Sequence, residues 1–140
     1  MEVTRIIHPI GQGAFYTESI KTNDNLYNVV YDCGSGNHKY TPKRLKQDIA
    51  SFYNPDDVID LLFISHFDND HINGIRELKK RTSNIRNIVV PLIEENDFWY
   101  YQIENPSFET FYRSLSEIAD SAVYRVKPYN EDEEENNIPI

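Results

Sequence analysis

Apolar positions recur first at the period of a strand and later at the period of a helix, and the change divides the chain. Val3, Ile6, Ile7 and Ile10 predict a strand over 3–10, weakened near its end by Pro9. Gly11-Gln12-Gly13 predicts a turn, 14–20 a second strand, Asn23-Asp24-Asn25 another turn, and 26–31 a β-branched and aromatic third strand. The first third is therefore expected to form an antiparallel meander closed by Asp32-Cys33-Gly34-Ser35-Gly36. Thr41-Pro42 predicts a helix start, cap then first helical residue, with Leu45, Ile49 and Phe52 at helical spacing.

Beyond Asn54-Pro55 the pattern changes. The stretch 58–64 is almost continuously apolar apart from Asp60, as expected of a strand buried on both faces. A polar loop, Ser65 to His71, precedes a helix around 72–80 with Ile75 and Leu78 inward, and 85–93 predicts another buried strand. Strand, loop, helix and strand form one βαβ unit, for which a right-handed crossover is expected. Phe108, Phe111, Leu115, Ile118 and Ala122 then lie at helical spacing behind Ser107 as a cap, and 122–126 predicts a further strand. The class is α/β, without internal repeats.

Composition adds limits rather than a function. A chain of 140 residues with 39% apolar and 26% charged content has room for one domain with a core. It contains no apolar run near the roughly 18 residues of a membrane span, and Met1-Glu2-Val3-Thr4-Arg5 lacks the apolar core of a signal peptide. A single cysteine, Cys33, excludes an internal disulfide and makes a reducing cytoplasm the expected compartment. The formal charge of −9 disfavours non-specific binding to polyanions. Five of those charges come from Glu131-Asp132-Glu133-Glu134-Glu135, which reads as a solvated loop or tail.

The chemistry concentrates in His66-x-Asp68-x-Asp70-His71, directly after a buried strand, where α/β sheets gather their ligands. Two imidazoles and two carboxylates within six residues combine borderline nitrogen with hard oxygen, a donor set suited to zinc or manganese. The alternation would let His66 and Asp68 converge on one ion while Asp70 and His71 face a second. Asp68, Asn69 and Asp70 are equally at home in a plain turn that ends a strand and caps a helix. Neither histidine is required by such a turn.

Ser65-His66-Phe67-Asp68-Asn69-Asp70-His71-Ile72-Asn73-Gly74-Ile75 resembles the signature loop of the metallo-β-lactamase superfamily, with Asp68 where the common form has histidine. The aspartate form resembles the subgroup of hydrolase domains found in bacterial DNA-uptake (competence) channel proteins. Gly11-Gln12-Gly13 and Val29-Val30-Tyr31-Asp32-Cys33-Gly34 resemble that subgroup's turn and its strand ending in Asp-x-Gly, in the same order. The resemblance covers about residues 3 to 93, and Pro9 departs from it, since an acidic residue is usual before the glycine turn. It implies a four-layered αββα sandwich, of which residues 1–128 would be the N-terminal half and 129–140 an acidic loop or tail. It also implies two divalent ions, zinc or alternatively manganese, held by His66, Asp68, Asp70 and His71. Asp70 is the expected catalytic residue, orienting the attacking hydroxide.

A complete site of that kind needs a later histidine, a bridging aspartate and a final histidine. The histidines are His8, His38, His66 and His71, and none follows position 71. The second half of the fold is thus expected from a longer chain or a partner, and these 140 residues alone are expected to be inactive. Asp97 and Asp120 read as caps or solvated side chains, His38 as a surface histidine, and His8 as structural. Cys33 reads as a small buried residue rather than a nucleophile. Asp32 is placed to orient a ligating histidine. Phe98-Trp99-Tyr100-Tyr101 would suit stacking on a base or sugar, although core packing accounts for it more simply. The function expected is hydrolysis of a phosphodiester, DNA or RNA, by a metal-bound hydroxide. A non-catalytic sensor or interaction module that keeps the fold, and a plain scaffold whose Asp-rich loop is only a turn, are the competing readings.

Overall fold

A computed structural model describes residues 1–127. The expected acidic tail, 129–140, lies outside the described residues. One six-stranded sheet runs in strictly sequential order through β1 (Glu2–Ile7), β2 (Phe15–Lys21), β3 (Leu26–Cys33), β4 (Val58–Phe63), β5 (Asn84–Pro91) and β6 (Ala122–Val126). The first three strands pair antiparallel, as the two short turns require, and β3 to β6 pair parallel. Each parallel pair is joined through helix: α1 (Lys43–Phe52), then α2 (Asn69–Ile72) with α3 (Ile75–Arg81), then α4 (Phe98–Glu104) with α5 (Phe108–Ile118).

The sequence anticipates the meander, the unit around the polar loop and the last strand, and misjudges three local features. The helix expected over 72–80 is two helices, because Gly74 packs its backbone against Cys33 and donates its N–H to the Cys33 carbonyl at 2.8 Å. Thr41 does not cap α1. Its hydroxyl donates instead to the Asn73 carbonyl, and Pro42 takes the cap position without a side-chain bond. The aromatic run at 98–101 opens a separate helix, α4, where Phe98 is buried while Trp99 and Tyr100 are exposed.

The two faces of the sheet differ sharply. Val30, Leu62 and Ile88 lie in register and are fully buried among Leu45, Ile49, Ile75, Leu78 and Leu115 of the helices. The adjacent row on the opposite face runs Ile7, Tyr16, Tyr31, Phe63, Val89 and Tyr124, with Tyr31 45% and Tyr124 54% exposed. A sheet with one packed and one open apolar face is half of a layered structure.

His8, at the end of β1, is buried. Its ring stacks on Phe15 at 4.0 Å, meets Phe52 edge-on at 4.8 Å, and places Nε2 3.0 Å from Thr17 Oγ1. Burial lowers its pKa below the ordinary value, against a smaller opposing pull from Asp48. A folded-state pKa below the unfolded one means that the unfolded chain takes up the proton more readily. Stability is therefore expected to be complete above about pH 6.5 and to fall as pH drops below it. His8→Gln should flatten that part of the profile in urea titrations at several pH values; an unchanged slope would assign it to other groups.

Candidate metal centre

Strand β3 ends at the centre of the site. Asp32 is 1% exposed and has φ +54°, the one positive φ outside glycine among the described residues. Aspartate tolerates this region better than most residues, and surrounding bonds hold it there. Asp32 Oδ1 accepts the Ser65 N–H at 2.7 Å, while Oδ2 accepts the Ser65 hydroxyl at 2.5 Å and His71 Nδ1–H at 2.8 Å. The end of β3 and the start of the loop after β4 are thereby tied through one carboxylate.

That network fixes both imidazoles. The carboxylate only accepts, so the single Ser65 hydroxyl proton points to Asp32 and the hydroxyl oxygen is left to accept His66 Nδ1–H at 2.8 Å. Each histidine thus commits Nδ1 to the protein and keeps its lone pair on Nε2. His66 Nε2 lies 3.4 Å from Asp68 Oδ2, and His71 Nε2 lies 4.0 Å from Asp70 Oδ2. The two rings stand 3.8 Å apart between centroids.

The loop holds this geometry because Phe67, at its middle, points into the core. Phe67, between His66 and Asp68, is 2% exposed and packs against Phe108 at 5.1 Å and Tyr112 at 5.3 Å. Burying such a ring contributes roughly 1.5–3 kcal/mol and sets its neighbours outward. Asp68 stands at the N-cap of α2, yet its side chain makes no capping bond. The turn-and-cap explanation of the loop therefore does not account for Asp68.

Two glycine-bearing turns support the loop from behind. The Asp70 carbonyl accepts the Ala14 N–H at 3.2 Å, and the Ala14 carbonyl accepts the Gly34 N–H at 3.0 Å. A Cβ on Gly13, whose φ is +110°, would lie 2.3 Å from the Asp70 carbonyl oxygen. The Gly-Gln-Gly turn, the Asp-x-Gly strand end and the histidine loop, far apart in sequence, are thus in backbone contact.

Two contributors were not singled out by sequence reasoning. Ser65 bridges Asp32 and His66, and spacing gives no signal for a serine in that role. Asn73 accepts the Ser35 N–H at 3.0 Å and donates to the carbonyls of Ser35 at 3.0 Å and His38 at 2.8 Å, pinning the loop after β3. His38 itself is exposed, beside Gly36. Asp97 stands at the cap position of α4 without a capping bond. Asp120 accepts the Ile85 N–H at 2.8 Å and pairs with Lys79. Cys33 is buried, which pushes its thiol well up from the usual range and away from nucleophilic use.

The side chains present suit a divalent ion. Ligand atoms of Asp32, His66 and His71 lie within 4.8 Å of one another. Asp32 already accepts three hydrogen bonds and is sealed from solvent, so its carboxylate is committed to Ser65 and His71. The outward donors are the two Nε2 atoms and the carboxylates of Asp68 and Asp70, of which Asp68 is 69% and Asp70 16% exposed.

No helix among the described residues is long and apolar enough to cross a membrane. No curated protein matches the chain. No solved structure matches it. The family model of the metallo-beta-lactamase superfamily matches residues 22–136, from the turn before β3 to beyond β6. With that match covering most of its length, the chain belongs to the metallo-beta-lactamase superfamily.

Proposed function

We propose that this protein is a metal-dependent hydrolase of phosphodiesters, of the kind found in DNA-uptake channel hydrolase domains, with His66 and Asp68 holding one divalent ion and Asp70 and His71 a second. The observation that carries the reading is the pairing of two imidazoles whose Nδ1 atoms are tied back while their Nε2 atoms lie beside Asp68 and Asp70. Zinc fits this nitrogen and carboxylate set, with manganese as the alternative. Bound divalent ions would supply Lewis acidity and lower the pKa of water towards neutrality.

The chain's own residues have separate tasks. Asp32 and Ser65 hold the histidine tautomers, and Asp70 orients the attacking water. Four ligands on one loop cannot fill two coordination spheres, so the remaining ligands come from outside the described residues. The same source would cover the open sheet face as a second sheet, completing the αββα sandwich.

Plasma mass spectrometry should find about two zinc or manganese ions per full-length protein, and far fewer in Asp68→Ala/His71→Ala. Hydrolysis of bis-p-nitrophenyl phosphate, DNA or RNA should fall about 10²–10⁴-fold in Asp70→Ala. Full activity in that variant would sink the mechanism. Metal binding without hydrolysis of any phosphodiester would favour a sensor that keeps the fold.

A further inference from the structure

Next to the histidine loop, but lined by none of Asp32, His66, Asp68, Asp70 and His71, a cavity of about 390 Å³ is walled by the loop after β3, by α1, by α2 and Asn73, by α3 and by the start of α5. Its charge is opposite to that of the chain. Lys39, Lys46, Arg76 and Lys80 line it, opposed by one carboxylate, Glu77, 3.9 Å from Lys46 Nζ. Four of the chain's 14 basic residues thus gather in one concavity of a protein with net charge −9. Such clustering carries a Coulombic cost that an arriving anion relieves.

The site is partly ordered in advance. The Arg76 guanidinium is anchored by donating from Nη2 to Ser114 Oγ at 2.9 Å, so less freedom is lost on binding. The N-terminal end of α5 opens on the cavity at Thr110, and the helix dipole there favours negative charge. The volume falls at the small end of the roughly 300–1,000 Å³ typical of small-molecule sites.

We infer that this cavity binds a small phosphorylated ligand carrying a pyrophosphate or similar polyanionic group. With Glu77 set against Lys46, the lining keeps a surplus of three positive charges. That surplus matches a pyrophosphate better than a monocarboxylate, and Arg76 offers the planar fork suited to phosphate oxygens. The chain's net charge of −9 argues against a long nucleic-acid backbone as the ligand.

The test is a titration of inorganic pyrophosphate into the metal-free, isotope-labelled protein, followed by amide chemical shifts. Shifts at Arg76, Lys80 and Thr110 are expected, with affinity about tenfold or more weaker in Lys39→Gln/Lys80→Gln, two exposed side chains whose loss spares the core. Lys43→Gln/Arg44→Gln, which removes two exposed cations outside the cavity, should bind as the parent does. Absence of shifts at these amides, or equal weakening in both double variants, would overturn the assignment. So would a single-stranded oligonucleotide that moves the same amides when pyrophosphate does not.

Discussion

Replacing Asp32 with asparagine is expected to leave a folded protein with divalent-metal affinity reduced about 10–100-fold. Asparagine tolerates the positive φ of this position and keeps the volume. Its carboxamide can still accept from the Ser65 N–H, but it cannot accept from both the Ser65 hydroxyl and His71 Nδ1–H as the carboxylate does. The cheapest response is for a histidine to move its proton to Nε2, which removes the lone pair a metal needs. Zinc titration against a competing chelator measures the loss, and unchanged affinity would reduce Asp32 to a structural residue. Asp32→Ala goes further, leaving three donors without an acceptor in a site 1% exposed. At about 1–3 kcal/mol per orphaned group, the expected destabilisation is at least about 3 kcal/mol.

One added methyl group at Gly13 is expected to be nearly as damaging. Its Cβ would stand 2.3 Å from the Asp70 carbonyl oxygen and 2.8 Å from that of Gly34, both backbone atoms of packed segments. The φ of +110° adds strain of roughly 1–3 kcal/mol, and overpacking contributes a comparable amount. Gly13→Ala should therefore lose about 3 kcal/mol or more in urea denaturation and weaken metal binding, since relief requires Asp70 to move. Gly11→Ala is the internal control. It also has positive φ, +84°, but nothing lies within 4 Å of its Cβ, so only the strain should register. Equal losses at both positions would mean that the contact with the histidine loop carries little.

The contrast between these glycines marks how far the sequence could be read. Strand periods and the turn at Gly11-Gln12-Gly13 were legible because alternation and glycine act locally. The loop His66 to His71 was legible because two histidines have no place in an ordinary turn. The contact of Gly13 with Asp70, and the Ser65 hydroxyl between Asp32 and His66, join segments dozens of residues apart. No local pattern encodes such a meeting. Asp32 lay between these cases, since its place at a strand end beside a glycine and its service to a histidine were visible while its two bonds from Ser65 were not. Thr41 shows the opposite failure. Its local grammar was that of a helix cap, yet a stronger tertiary partner, the Asn73 carbonyl, claimed the hydroxyl.

The sequential order of the sheet has a bearing on how the molecule comes into being. Each strand pairs with its predecessor in the chain, and no later strand inserts between two earlier ones. A growing chain can therefore add one strand at a time to an existing edge, without undoing any pairing already made. Asp32 is synthesised before the segment that needs it emerges, so Ser65 and His71 find their acceptor at the end of β3 once β4 docks on it. Assembly of the loop is in this sense templated from its N-terminal side: the glycine turn and the end of β3 are made before the loop that rests on them, and Phe108 and Tyr112 close over Phe67 afterwards.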